Sequence, residues 1–110
     1  MVVREFAVNE GAEGSFVKMF GPAGLWNEIL RQDEGYLGSV VECASELERR
    51  YTVFDFWRSH LAFERFRQQY TAECERFSEM LRREGWVGHE VLLGMYYEPD
   101  DGEESGLVTR

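Results

Sequence analysis

Phe54-Asp55-Phe56-Trp57-Arg58-Ser59-His60-Leu61-Ala62-Phe63-Glu64-Arg65-Phe66 is the stretch that decides how this chain folds. Up to Trp57 the apolar pattern repeats every second residue, with Phe54 and Phe56 on one face and Val53, Asp55 and Trp57 on the other. From Phe63 onward the spacing becomes three and four, the repeat of a helix. Ser59 sits at the switch, where its hydroxyl can cap the first free amides. The pattern predicts a strand ending in a tryptophan and followed at once by a capped aromatic helix. That places a large aromatic wall in a sheet–helix crevice, the kind of site that takes small ligands.

Working outward, Phe63, Phe66, Tyr70, Cys74, Phe77 and Leu81 continue one apolar stripe, which predicts a single helix from Ser59 to Glu84 with Gly85 as its stop. Trp86 to Tyr97 reads as a following strand. Upstream, Val2 to Asn9 alternates as a first strand. Gly11 to Gln32 reads as a helix interrupted at Gly21-Pro22, because proline lacks the amide and crowds the preceding turn. Tyr36 to Ala44 and Arg49 to Arg58 are two strands joined by the polar loop Ser45 to Glu48, an antiparallel hairpin. The order βαββαβ predicts an α+β, ferredoxin-like domain: a four-stranded antiparallel sheet with the helices on one face.

The chain has 110 residues, 44% apolar and 15% aromatic, enough for one domain with a real core. Residues 1–97 form that domain. Residues 98–110 are an acidic, turn-rich tail with little to bury, expected to be flexible. Net charge is 12 − 21 = −9, the reverse of what polyanionic nucleic acid or an anionic membrane rewards. No apolar run approaches the ~20 residues of a membrane span, and the N-terminus lacks a signal-peptide pattern, so a cytoplasmic protein is expected. Cys43 and Cys74 have no C-x-x-C spacing and are expected to be buried free thiols.

Helices cover one sheet face, yet the strands carry apolar residues on both: Phe54 and Phe56 alternate with Val53 and Trp57, and Val91, Leu93 and Met95 with Leu92 and Tyr96. A sheet apolar on both sides needs a second cover. The expected one is another copy of the chain, giving a homodimer packed through its sheet faces.

The chain resembles the antibiotic biosynthesis monooxygenase family of dimeric α+β barrels. The residues that carry the likeness are Phe6-Ala7-Val8-Asn9, Gly35-Tyr36-Leu37-Gly38, and Asp55-Phe56-Trp57-Arg58-Ser59 with Ala62-Phe63, over roughly residues 2 to 97. The resemblance implies one of two branches. One oxidises polycyclic aromatic molecules with oxygen and neither metal nor flavin. The other binds and degrades haem through an Asn late in the first strand, a Trp ending the third, and a helix His. Asn9 and Trp57 match the first two positions. The helix from Leu61 to Glu84 has no His, which argues against the haem branch.

The expected catalytic residues are therefore Asn9, as oxyanion donor, and Trp57, as a stacking wall. Asn9 can equally be a turn residue before Glu10-Gly11, and Trp57 equally a core side chain. Trp26 and Phe63 are expected at the pocket wall or in the core. His60 either faces the crevice as a near-neutral base or stands exposed on the first helical turn, and His89 reads as a hydrogen-bonded interface residue. Glu64, Glu73 and Glu75 form no ligand pattern with the histidines, so neither metal nor cofactor is expected. Gly38, Gly88 and Gly94 either make room for a ring or mark bulges. Two readings follow: a cofactor-independent monooxygenase of a phenol-like aromatic, or a non-catalytic, small-ligand-binding or stress-associated dimer of the same fold.

Overall fold

The computed structural model describes residues 1–97, so the expectation for the tail lies outside the described residues. The elements are β1 (Val2–Val8), α1 (Glu13–Phe20), α2 (Leu25–Leu30), β2 (Tyr36–Ser45), β3 (Arg50–Trp57), α3 (His60–Gln69), α4 (Thr71–Arg83) and β4 (Val87–Met95). The strands form one antiparallel sheet in the order β2-β3-β1-β4, the α+β, ferredoxin-like arrangement. Each predicted helix is split in two.

The first split falls where Gly21-Pro22 predicts it. α1 buries Phe16 and Phe20, α2 buries Trp26, Ile29 and Leu30, and the chain turns sharply between them. Gly24 makes that turn possible. A Cβ there would lie 2.2 Å from the Met19 carbonyl oxygen, closer than any side chain can sit.

The second split was not expected. The stripe from Phe63 to Leu81 does not run along one continuous helix, because the backbone leaves helical geometry at Tyr70 (φ −116°, ψ 27°). Thr71 supplies a physical reason: its hydroxyl donates to the Arg67 carbonyl at 2.5 Å, the back-bond to residue i−4 by which threonine bends helices. The start of α3 follows the sequence, since Ser59 Oγ accepts from the Ala62 amide at 3.1 Å. Gly85 ends α4 at φ 75°, the left-handed stop expected of glycine.

The register sorts side chains into two faces. Val2, Phe6, Val8, Val53 and Trp57 join the helices in one core, centred on Phe6, Phe16 and Phe20, whose ring centroids lie 4.6 to 5.1 Å apart. On the other face Val40, Phe54, Val3 and Gly94 form a row across all four strands. The chain therefore presents apolar side chains on the face that no helix covers. Cys43 departs from expectation: it lies on the edge strand β2 and is exposed, whereas Cys74 is half-buried.

The turn from α2 into β2 is clamped by Asp33. Its Oδ1 accepts from the Gly35 amide at 2.8 Å, and Arg65 on α3 donates to both carboxylate oxygens at 3.1 and 2.7 Å. The Arg65 hydrogen bonds hold this carboxyl below its ordinary value of 3.8. A carboxyl more acidic folded than unfolded stabilises the fold fully above that ordinary value. The contribution drains away as pH falls through the lowered one. Urea midpoints of wild type and Asp33→Asn should therefore differ near neutral pH and converge well below pH 3.8. A gap that stays constant with pH would contradict this coupling.

Candidate functional site

Val2, Arg4, Asp55, Trp57, Leu92 and Met95, from three neighbouring rows of the sheet, form the floor of a cavity under the helices. Tyr36 pairs with Trp57; Ser39, Asp55, Val2 and Met95 form the next row; Val41, Val53, Arg4 and Leu92 form the third. α2 contributes Trp26 and Leu30 to the walls, α3 contributes Phe63, Phe66 and Arg67, and α4 contributes Cys74. The cavity volume is about 230 Å³. Drug-sized ligand pockets run from ~300 to 1,000 Å³, whereas an apolar cavity of ~150 Å³ accepts benzene. The cavity is thus sized for one or two fused rings.

Its polar centre is Asp55, only 2% exposed. Arg4 Nη2 donates to Oδ2 at 2.7 Å, Trp26 Nε1 is shared between Oδ1 and Oδ2 at 3.1 and 3.2 Å, and Ser39 Oγ donates to Oδ1 at 2.5 Å. The chain of hydroxyls continues outward. Because Ser39 gives its proton to Asp55, Tyr36 Oη must donate to Ser39 Oγ (2.5 Å), and it accepts in turn from Asn27 Nδ2 at 3.1 Å. Burial is the main force holding the Tyr36 hydroxyl above its ordinary value, so it remains a donor at neutral pH. The Arg4 guanidinium also lies 4.5 Å over the Trp26 ring and 3.5 Å from Glu90. A buried charge needs partners of this kind from several directions.

Trp57 lines the cavity and is 5% exposed, with Phe66, Tyr36 and Phe63 at centroid distances of 5.0, 5.4 and 5.6 Å. Among the described residues its buried indole Nε1 has no hydrogen-bond partner, and neither has the buried Arg4 Nε. Orphaned buried donors are rare, and these two belong to walls of the same cavity. Burial pushes the Cys74 thiol up to about 11, so it is a neutral, unreactive wall residue at physiological pH.

Of the residues singled out in the sequence, the structure brings together Trp57, Trp26 and Phe63. It does not bring Asn9 to them. β1 and β3 are antiparallel, so a residue just past the end of β1 and one at the end of β3 lie at opposite ends of the sheet, separated by roughly 25–30 Å along the strands. Asn9 instead donates from Nδ2 to the Gly85 carbonyl at 2.6 Å, pinning the turn before β4. His60 stands outside the cavity, exposed on the first turn of α3, 3.7 Å from Glu64 and edge-on to Tyr97. His89 is exposed on the open face of β4. The strand glycines serve backbone geometry: Gly38 (φ 135°) sits at a bulge, and a Cβ on Gly88 or Gly94 would press on Asn9 or Tyr96.

Arg4, Ser39 and Asp55 were not anticipated. The signal was present, since Arg4 interrupts Val2, Phe6 and Val8, and Asp55 stands between Val53 and Trp57. A charge at each of two core-facing positions on neighbouring strands requires a partner. Among the described residues no group of three His, Cys, Asp or Glu side chains can hold a metal ion, and no helix is long and apolar enough to cross a membrane.

No protein-family model matches the chain, and no curated protein does. Among solved structures it is similar to PA3566 from Pseudomonas aeruginosa, at 15% identity and a TM-score of 0.54, over 83% of this chain and 85% of that one. At that identity the likeness concerns the fold.

Proposed function

We propose that this protein is a small-molecule monooxygenase that uses neither metal nor flavin and acts on a compact phenol-like ring held between the sheet and the helices α2 to α4. The observation that supports this reading is the apolar cavity of about 230 Å³ with one buried Arg4–Asp55 pair at its floor and Trp57 in its wall. Cofactor-free oxygenation asks little of a protein: a dry cavity, a group to take the ring hydroxyl's proton, and a positive charge beside the oxyanion left behind. Asp55 is suited to the first polar role and Arg4 to the second. The ring supplies the electrons, and oxygen ends as one carbonyl and one water. Asn9 has no part in this reading, because its amide is engaged with Gly85 at the far end of the sheet.

The same cavity supports a second reading, a non-catalytic binding protein, favoured by the three rings that lock the Trp57 indole in place. Oxygen consumption with hydroxylated one- and two-ring aromatics separates the two. The expected result is uptake that Trp57→Ala lowers at least ~10-fold and Asn9→Ala leaves intact. Binding of these compounds with no oxygen uptake by the wild type would leave only the second reading.

We further propose a homodimer in which the open sheet faces cover one another. Val40 is 45% exposed, Val91 37% and Leu37 63%. The neighbouring rows carry both signs of charge, with Glu5 paired to Arg50 at 3.2 Å. A patch that is apolar at its middle and of mixed charge at its rim can meet its own copy across a twofold axis without like charges colliding.

A further inference from the structure

The free side of β4 can be read from the hydrogen bonds along β1. Met1 exchanges both backbone bonds with Tyr96, and the Asn9 amide donates to the Trp86 carbonyl, while the Val8 amide donates to Arg49. Odd positions of β1 therefore bond to β4 and even positions to β3. Val91 and His89 stand opposite Glu5 and Ala7, so their backbone groups are used within the sheet. Glu90 and Leu92 stand opposite Phe6 and Arg4, so they turn their N–H and C=O outward, where no strand of this chain lies.

The side chains on this edge are equally open. Every residue from Gly88 to Leu93 is exposed, and Val91, Leu92 and Leu93 are 37%, 50% and 49% exposed on the two faces. Natural edge strands are commonly guarded by lysine or proline, and β4 (VGHEVLLGM) carries neither. It has instead a bulge near each end, at Gly88 and Leu93, where the register with β1 shifts. Between the bulges only His89–Leu92 is regular, enough for one short pairing and too little for run-on growth. A groove of about 350 Å³ between α4 and this edge, lined by Ser78, Arg82, Glu90 and Leu92 among others, leaves room for incoming side chains on the helix side.

We infer that β4 pairs antiparallel with β4 of a second copy, about a twofold axis at Val91, and so joins two sheets into one. The free backbone groups set the register. Glu90 lies opposite Leu92 of the partner subunit, the two exchange both hydrogen bonds, and the axis repeats the pair. Both residues lie on the helix side, as directly opposite residues must, and Val91 meets Val91 of the partner subunit on the open side. No like charges stand directly opposite, since Glu90 faces a leucine and has its own Arg4 at 3.5 Å. A second copy suits this edge because it brings aliphatic side chains for both faces in matching order and removes two open edges at once. The seam is independent of the open-face pairing, and chains using both close into a four-chain assembly of dihedral symmetry. Burying only a short edge, it is the weaker contact, with a dissociation constant on the order of 0.1–1 mM.

Sedimentation equilibrium of the full chain from micromolar to about 1 mM, with amide hydrogen exchange at both limits, tests this. The mass is expected to double between the limits in wild type and in Phe54→Asp, which charges the open face and leaves the β4 edge alone. The Glu90 and Leu92 amides should gain at least ~10-fold protection at the upper limit, and the amides on the free side of β2 should not change. Glu90→Pro removes an N–H that makes no bond within the sheet, so it should fold and keep its micromolar mass at ~1 mM. A mass that does not rise, growth beyond doubling, or doubling without protection of Glu90 and Leu92 would overturn the inference. A folded Glu90→Pro chain that still doubles overturns it as well. Should that variant not fold, exchange in the wild type decides alone.

Discussion

Asp55→Ala is expected to destabilise the protein by about 3 kcal/mol, a large share of the ~5–15 kcal/mol that holds a domain of this kind together. The effect does not come from losing a surface ion pair, which would be worth ~0–1 kcal/mol. Asp55 is 2% exposed, and its removal strands donors from three other elements: Arg4 on β1, Ser39 on β2 and Trp26 on α2. Arg4 is itself mostly buried, with a side chain 15% exposed, and a guanidinium without a partner in that position is what makes broken buried pairs costly. The value sits at the low end of the usual ~3–5 kcal/mol because Glu90, 3.5 Å from Arg4, keeps part of the charge compensated. Urea denaturation at neutral pH measures it directly. Replacing both partners, as in Arg4→Met with Asp55→Leu, should cost much less than the single change, since an apolar pair leaves no charge behind. A loss under ~1 kcal/mol for Asp55→Ala would mean that water reaches the pair and that the cavity floor is not dry.

This carboxylate also marks where the sequence could be read and where it could not. The strand–cap–helix switch from Phe54 to Phe66 was legible because each part is local: a two-residue period, a serine cap and a three-to-four-residue period. The break at Tyr70 was not, because the apolar stripe continues through it in sequence, and the bend arises from a side-chain bond of Thr71 that periodicity does not register. The aromatic half of the site, Trp26, Trp57 and Phe63, followed from placing large rings where a strand meets a helix. The polar half depends on register. Ser39 and Asp55 are neighbours only because β2 pairs with β3 in one particular alignment across the bulge at Gly38, and one residue of slip would turn every side chain to the other face. Strand direction also separates Asn9 from Trp57, since two adjacent antiparallel strands end at opposite edges of the sheet. The order βαββαβ already implied that separation.

The second large effect concerns association. Wild type should sediment at twice the 12.9 kDa chain mass at micromolar concentration, and Phe54→Asp should reduce it to the single chain by weakening association at least ~100-fold. Phe54 is the position of choice because its row, Val40–Phe54–Val3–Gly94, crosses all four strands on the face without helices. A carboxylate in mid-row would be buried against its own twofold mate, with no cation from that row to meet it. The same substitution should leave the fold nearly untouched. Phe54 is absent from the core cluster and only half-buried, so in the free chain the new carboxylate reaches water. That asymmetry separates the explanation from simple unfolding: the variant should be monomeric yet keep its far-ultraviolet dichroism and a cooperative urea transition. Wild type running as a 12.9 kDa species at these concentrations would refute the dimer outright. An unchanged dimer in Phe54→Asp would place the interface elsewhere on the surface.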